Sequence, residues 1–415
     1  MNNIKLKIKD ISTVKNGSTP STSNSEFYDG DIIWITPRDL SNQNNRYIVK
    51  GERTITKEGF DSCSAAMLPK GTILLSSRAP IGLLSIAGIE LCTNQGFKNI
   101  IPDKSKIDSE YLYYYLKTKI SDIGKLGSGT TFKEVSKNSI ENFQVIIPTD
   151  VKYQHKIAAV LSLLDSKIEF NNRINYELET MAKTLYDYWF VQFDFPNSEG
   201  KPYKTSGGKM VWNEELKREI PEGWKVYKVV ELLYTSLGGT PSTSVNEYWE
   251  NGNINWLNSG EIANFPIVNS ELKVTEAAIR NSAAELLPAG SVMLSITRHL
   301  RPSVLAIDAC ANQSVVGIKE NGDIRYFYLY PYLKNEIPRL NAMRSGAQQP
   351  HINKEIVDES LIVIPYISSN ILKEYNSKVG PFYELIINNA LQNQQLASLR
   401  DWLLPMLMNG QVKVE

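Results

Sequence analysis

The pentapeptide TPSTS fills residues 19–23 and returns at residues 240–244, and the repetition continues outward from it. Residues 18–40 (STPSTSNSEFYDGDIIWITPRDL) match 239–262 (GTPSTSVNEYWENGNINWLNSGEI) at an offset of 221, which becomes 222 after one inserted residue. Gly30 thus pairs with Gly252, Trp34 with Trp256 and Asp39 with Glu261. Further matches follow in order: LPKGTILLSS (68–77) with LPAGSVMLSI (287–296), CTNQG (92–96) with CANQS (310–314), LYYYLK (112–117) with LYPYLK (329–334), and VIIP (145–148) with IVIP (362–365). The offset drifts only from 222 to 217. A unit of this length is far too long for a solenoid repeat, so the chain is a tandem duplication of a domain with its appendage.

Each copy mixes short β-rich runs such as GDIIWI and GTILLSS with Gly, Pro, Asn and Ser punctuation. SEYLYYYLKTKI (109–120) reads as a single helix over that sheet. The expectation is two small α+β globules, residues 1–150 and 211–366, the second with its core from about residue 225.

The appendages differ in kind. Residues 155–192 hold neither Gly nor Pro, and one seam recurs at steps of four and three: Ile157, Leu161, Leu164, Ile168, Asn171, Asn175, Leu178, Ala182, Leu185, Trp189. Adding 218 gives Tyr375, Val379, Phe382, Ile386, Asn389, Asn393, Leu396, Arg400, Leu403, Leu407. Both seams carry asparagines midway, at 171 and 175 and at 389 and 393. A seam asparagine costs stability but selects register, because its amide must find a partner in one layer; the alternative is that the four lie on a solvated face. Gly380–Pro381 and Pro405 predict a kinked or late-starting second helix, and Arg400 breaks its apolar row. Long helices are expected at 151–194 and 367–410, joined through a crossover at 195–224 rich in Gly, Pro, Ser and Lys. Paired antiparallel, about 38 residues would form a rod of roughly 57 Å with pseudo-twofold-related globules at its ends.

Composition excludes more than it suggests. Lys+Arg and Asp+Glu number 45 each, which argues against a non-specific polyanion binder, although residues 1–150 carry 19 basic against 16 acidic residues. The N-terminus lacks a secretory h-region, and no apolar run reaches the length of a membrane span. Three cysteines (Cys63, Cys92, Cys310) form no disulfide framework, which fits a cytoplasmic chain. With His155, His299 and His351 they offer no zinc spacing, so a bound metal is not expected. Catalytic signatures are missing as well. There is no phosphate loop, no G-x-S-x-G elbow, no Gly-rich dinucleotide or S-adenosylmethionine turn, and no adjacent prolines for an amino-methyltransferase motif. Asp103 with Glu110 suggests a nuclease carboxylate pair, but EYL lacks the completing lysine. Duplication without a catalytic constellation favours a recognition device.

Two globules, each followed by a long helix and each carrying TPST, a G-x-I-x-W run, an LP-x-G strand and a closing IIP-like strand, resemble the specificity subunit of Type I restriction–modification enzymes; NQGF in the first and WFVQFDFPNSEGKPYKTSGGKMVWNEELKREIPEGW between them add to the likeness. The resemblance implies that each globule is a target recognition domain reading one half of a split double-stranded DNA sequence. It implies that the helices measure the spacer and dock two methyltransferase subunits, with two restriction (motor–nuclease) subunits joining. It also implies that the chain is not itself an enzyme, its partners holding S-adenosylmethionine, ATP and Mg2+. Side chains suited to base edges or phosphates are Arg38, Arg78, Lys98, Thr130, Thr131 and Lys133 in the first copy. The second offers Arg298, Arg301, Arg344, Gln348, Gln349, His351 and Lys354; ion pairing and plain solvation are the alternatives for each. Doubled residues such as Trp34/Trp256 and Asn94–Gln95/Asn312–Gln313 read as scaffold, since the halves should recognise different sequences. A self-contained modification enzyme with an unfamiliar site, or an interaction scaffold without DNA, remain as other readings.

Overall fold

The computed structural model describes residues 3–43, 45–78, 80–129, 133–346, 350–365 and 370–414. Contacts divide the chain into two compact units, one made of residues 1–170 with 395–415, the other of residues 171–394. The division cuts through both long helices, so each unit holds one globule and a stretch of each helix.

The first unit is built from three sheets. A five-stranded sheet runs in the order Ser12–Asn16, Phe97–Pro102, Ile73–Ser76, Leu84–Ala87, Tyr47–Ile48. A three-stranded sheet places Tyr28–Ile35 between Arg53–Ile55 and Cys92–Thr93, and Asn3–Lys7 pairs antiparallel with Gln144–Pro148. The second unit repeats all three: a four-stranded sheet led by Thr235–Leu237, a sheet centred on Ile254–Leu257, and the pair Lys225–Lys228 with Leu361–Ile364. Where the first unit has the short parallel strand Tyr47–Ile48, the second has a single parallel bridge, Ile267 to Leu305. Two α+β repeats with long helices are thus the observed architecture.

Tyrosine-rich helices pack on these sheets. In the first unit the Asp108 carboxylate accepts from Tyr111 N and caps Ser109–Thr118. The expected single helix over 109–120 is broken: Lys119 leaves helical geometry (φ −109°, ψ 8°) and Ile120–Lys125 forms a separate short helix. In the second unit the corresponding stretch is one helix, Tyr326–Ala342, despite Pro331 and Pro338.

The first long helix spans Val151–Tyr186 and closes in a π-helical turn, Asp187–Val191. The second spans Asn370–Met408. It begins ten residues before Gly380, so the expectation of a late start is not met. Pro381 is exposed, and the Ser377 carbonyl that loses its N–H partner lies on the exposed side, where water can satisfy it. Both seams hold along their length, with no member exposed. In the second unit Asn171 Nδ2 donates to Gln392 Oε1 and Asn393 Oδ1, both at 2.8 Å. Asn175 Nδ2 donates to the Ile386 carbonyl at 3.2 Å. These pairings run antiparallel. Asn171 is 0% and Asn389 8% exposed, so the layer is not a solvated face. No helix among the described residues is long and apolar enough to cross a membrane.

Candidate nucleic-acid interface

In each unit the doubled residues build one frame. Trp34 Nε1 donates to the Ser18 carbonyl at 3.0 Å, and Trp256 Nε1 to the Gly239 carbonyl at 3.0 Å. Thr19 and Thr240 each donate a hydroxyl hydrogen bond to the side chain of the glutamine in the Asn-Gln turn, Gln95 and Gln313. The turns themselves are tied by their asparagines: Asn94 Oδ1 accepts from Gly96 N at 2.8 Å, and Asn312 Oδ1 from Ser314 N at 3.0 Å. TPSTS therefore recurs because each copy clamps the same turn. A Cβ on Gly17 would meet Asn94 O at 1.9 Å, and one on Gly238 would meet Asn312 O at 2.2 Å, so both positions require glycine. Asp39 and Glu261 are buried and do one job. Each accepts from the backbone N of the residue three before it (Thr36, Asn258), and from a distant loop N (Glu52, Glu271) at 2.7 and 2.8 Å.

On this frame sits a pair of loops whose described ends carry different side chains. In the first unit Ser128 and Glu134 exchange backbone hydrogen bonds at 3.0 and 2.9 Å, Val135 N reaches the Ser77 carbonyl, and Arg78 bridges Glu134. The second unit repeats the pattern with Ser345 and His351 (3.0 Å each way), Ile352 N to the Ile296 carbonyl, and Thr297 bridging His351. Loop 128–134 thus corresponds to 345–351, and both close against a hairpin end of the larger sheet.

The structure brings Arg78, Lys98 and Lys133 together around Glu134. Lys133 is exposed and Arg78 half-buried, whereas Lys98 is buried and its ammonium pairs with Glu134 Oε1 at 3.0 Å. Lys98 is thus a strut under the loop rather than a side chain presented to solvent. Its counterpart opposite Leu294 is Val316, and that of Glu134 is His351, so the strut exists in one unit alone. Arg38 lies apart, on the short helix Pro37–Ser41, paired with Glu52 at 3.4 Å. It faces a groove of about 430 Å³ lined also by Asn42, Gln43, Asn45 and Lys50, amide and ammonium groups that sequence reasoning passed over. The groove adjoins the frame: a side chain on Gly96 would meet the Pro37 ring at 2.9 Å, and the Gly96 carbonyl accepts from Ser77 N.

In the second unit Arg344 donates to the Arg298 carbonyl, and Arg298, with φ 54°, is exposed together with Arg301 and His351. Lys354 is turned to other work. It pairs at 2.6 Å with Asp358, whose second oxygen accepts from Thr235 Oγ1. Thr130, Thr131, Gln348 and Gln349 lie outside the described residues. Asp103 and Glu110 do not act as a pair: Asp103 accepts from Ser105 at 2.6 Å, while Glu110 takes the hydroxyls of Tyr47 and Ser162, both at 2.6 Å.

Both repeats and most of both long helices fall within a known family. The profile of the Type I restriction modification DNA specificity domain matches residues 3–180 and 221–393. The chain is 35% identical, over 99% of its own length and 93% of its relative's, to the Type I restriction enzyme MjaIX specificity subunit of Methanocaldococcus jannaschii. It is 23% identical to the HindI specificity subunit of Haemophilus influenzae, over 76% of this chain and 80% of that one. Its fold matches the crystal structure of a Type I restriction–modification S subunit from M. genitalium with a TM-score of 0.60 at 16% identity, covering 98% of this chain and 96% of the other. The chain belongs to the Type I restriction–modification specificity-subunit family.

Proposed function

We propose that this chain is the non-catalytic DNA-reading subunit of a Type I assembly, each unit recognising one half of a bipartite double-stranded target. The observation that carries this reading is the contrast between frame and tip. Two units keep the same tryptophan, asparagine–glutamine and carboxylate ties, yet mount Arg78, Lys133 and Glu134 in one loop pair and Arg298, Arg344 and His351 in the other. A device that must present different edges from one scaffold has this form, because base identity is read by side-chain donors and acceptors while the frame need only hold them.

In this reading the paired helices set the spacer and dock two methyltransferase subunits, directing adenine methylation, and two motor–nuclease subunits add restriction in the cytoplasm. S-adenosylmethionine, ATP and Mg2+ belong to those partners. Balanced net charge is then tolerable, since the partners supply most of the phosphate contacts. Reconstituting the full chain with its methyltransferase subunits and titrating duplexes tests the proposal. Binding that depends on both halves of one split sequence supports it, and equal affinity for all duplexes rejects it.

A further inference from the structure

In the first unit one buried polar network joins four elements. Arg46, just before the strand Tyr47–Ile48, donates from Nη1 to Tyr114 Oη at 3.1 Å and to the Ser162 carbonyl at 3.3 Å, and from Nη2 to Ser166 Oγ at 3.3 Å. Its backbone N donates to Glu169 Oε1 at 3.0 Å, and its Nε lies 3.5 Å from Glu110 Oε1. Tyr114 Oη donates to Asp165 Oδ2 at 2.5 Å, and Arg400 Nη1 to Asp165 Oδ1 at 2.6 Å. Sheet, tyrosine helix and both long helices are thereby locked through two guanidiniums, one phenol and three carboxylates.

The repeat offsets and the shared pairing of Ile48 with Ala87 and Ile267 with Leu305 assign each member a counterpart in the second unit. Arg46 becomes Phe265, Glu110 becomes Phe327, Tyr114 becomes Pro331 and Asp165 becomes Tyr383, while Ser162 becomes Gly380 and Arg400 becomes Ala182. Phe265, Phe327, Tyr383 and Ala182 belong to one apolar cluster where the sheet meets the helices. The polar ties of this unit lie on the tyrosine helix instead, where Tyr330 Oη and Lys334 Nζ donate to Glu179 at 2.8 and 2.7 Å. Phe265 stacks on Tyr330 at 4.2 Å between centroids, Phe327 and Tyr383 lie 6.0 Å apart, and a Cβ on Gly380 would meet the Phe327 ring at 3.6 Å.

The two solutions differ physically. Apolar burial is non-directional and tolerates small rotations, whereas hydrogen bonds to charged groups weaken steeply when angles change. The sheet that Arg46 grips also carries the hairpin end bearing Arg78, so an angular change there moves the candidate reading loop with respect to the helices of the same unit. We infer that Arg46, Tyr114, Asp165 and Arg400 are positioning residues that fix the angle of the first unit's reading loops on the helices, and so confine the spacer the first half-site accepts. The inference rests on the bipartite DNA reading.

The test is methylation sequencing of a host carrying the full system with wild-type chain, Tyr114→Phe, Asp165→Asn, or the second-unit control Phe265→Leu. The wild-type arm reports on the function alone: absence of any split methylated motif removes the DNA reading and the inference with it. Given a split motif, Tyr114→Phe and Asp165→Asn should keep both half-site sequences and lower methylation at the native spacing roughly tenfold, the effect of one lost charge-assisted hydrogen bond. Sites one base pair longer or shorter should gain methylation, and Phe265→Leu should not produce them. Tyr114→Phe removes a single oxygen, so it reports even where Asp165→Asn folds poorly. Uniform loss of methylation with an unchanged spacing profile, an unchanged wild-type pattern, or equal broadening by Phe265→Leu overturns the inference.

Discussion

Asn389 donates its side-chain amide to Asn175 Oδ1 at 2.9 Å, in a seam where the Asn171–Asn393 pair lies on one side and Leu178 with Ile386 on the other. The bond links positions 214 residues apart and has no equivalent partner one heptad away, where Phe382 and Leu396 stand. Sliding one helix by a heptad would strand these amides against hydrocarbon and shift it by roughly 10 Å. Register is thus bought with polar groups in an otherwise oily seam.

Replacing both Asn175 and Asn389 with Leu should therefore stabilise the chain while loosening register. The expected outcome is an unfolding free energy raised by about 1–2 kcal/mol in urea titration, with broadened amide signals or faster hydrogen exchange along residues 171–182. Lower stability with sharp signals would show that the amides do not select register.

Lys98 gives a second prediction. Lys98→Val copies the second unit, where Val316 fills the site, and Glu134 is exposed enough to be solvated once its partner is gone. Stability should change by less than about 1 kcal/mol, while hydrogen exchange at Ser128 and Glu134 N–H rises. Lys133→Ala, at the exposed end of the same loop, should leave stability within about 0.5 kcal/mol and weaken DNA binding by the assembly.

A third concerns the frame. Asp39→Asn and Glu261→Gln each keep shape but weaken acceptance from two backbone N–H groups across a buried junction. Each should cost about 1–3 kcal/mol, measured as a lower urea midpoint.

Alkaline pH supplies a fourth. Burial pushes the phenols of Tyr111, Tyr328, Tyr375 and Tyr383 upward, and burial raises the Cys92 and Cys310 thiols to about 12. The unfolded chain then releases protons first, near pH 8.5 for thiols and about 10 for phenols, while the folded chain keeps them. The folded state binds more protons, so stability is full below those values and falls as pH rises, by up to about 1.4 kcal/mol per pH unit for each group. Urea midpoints should drop between pH 9 and 11, and native alkylation at pH 8 should label half-buried Cys63 before Cys92 or Cys310.

Duplication made the frame legible before any coordinate: Trp34 and Trp256, or Asn94 and Asn312, stand out because the letters coincide. The seams were legible for the same reason that coiled coils are, a period that repeats. Arg46 and Asp165 were not. They are single residues 119 positions apart, and their counterparts Phe265 and Tyr383 share no letter with them. Lys98 stands among the base-reading candidates with ion pairing as its alternative, and the letters do not decide between them because its partner Glu134 is 36 residues away. Only the fold shows Glu134 meeting its ammonium. The second helix ran on through Gly380–Pro381 because its proline faces water, a choice of face that composition does not encode.

The measurement that tests the central claim most directly is the methylated motif of a host whose chain carries Arg298→Ala and Arg344→Ala, compared with wild type by methylation sequencing. Independent reading by two units predicts that one half-site relaxes or changes while the other half-site and the spacer stay the same. Simultaneous change of both half-sites, or an unaltered motif at undiminished methylation, would contradict it.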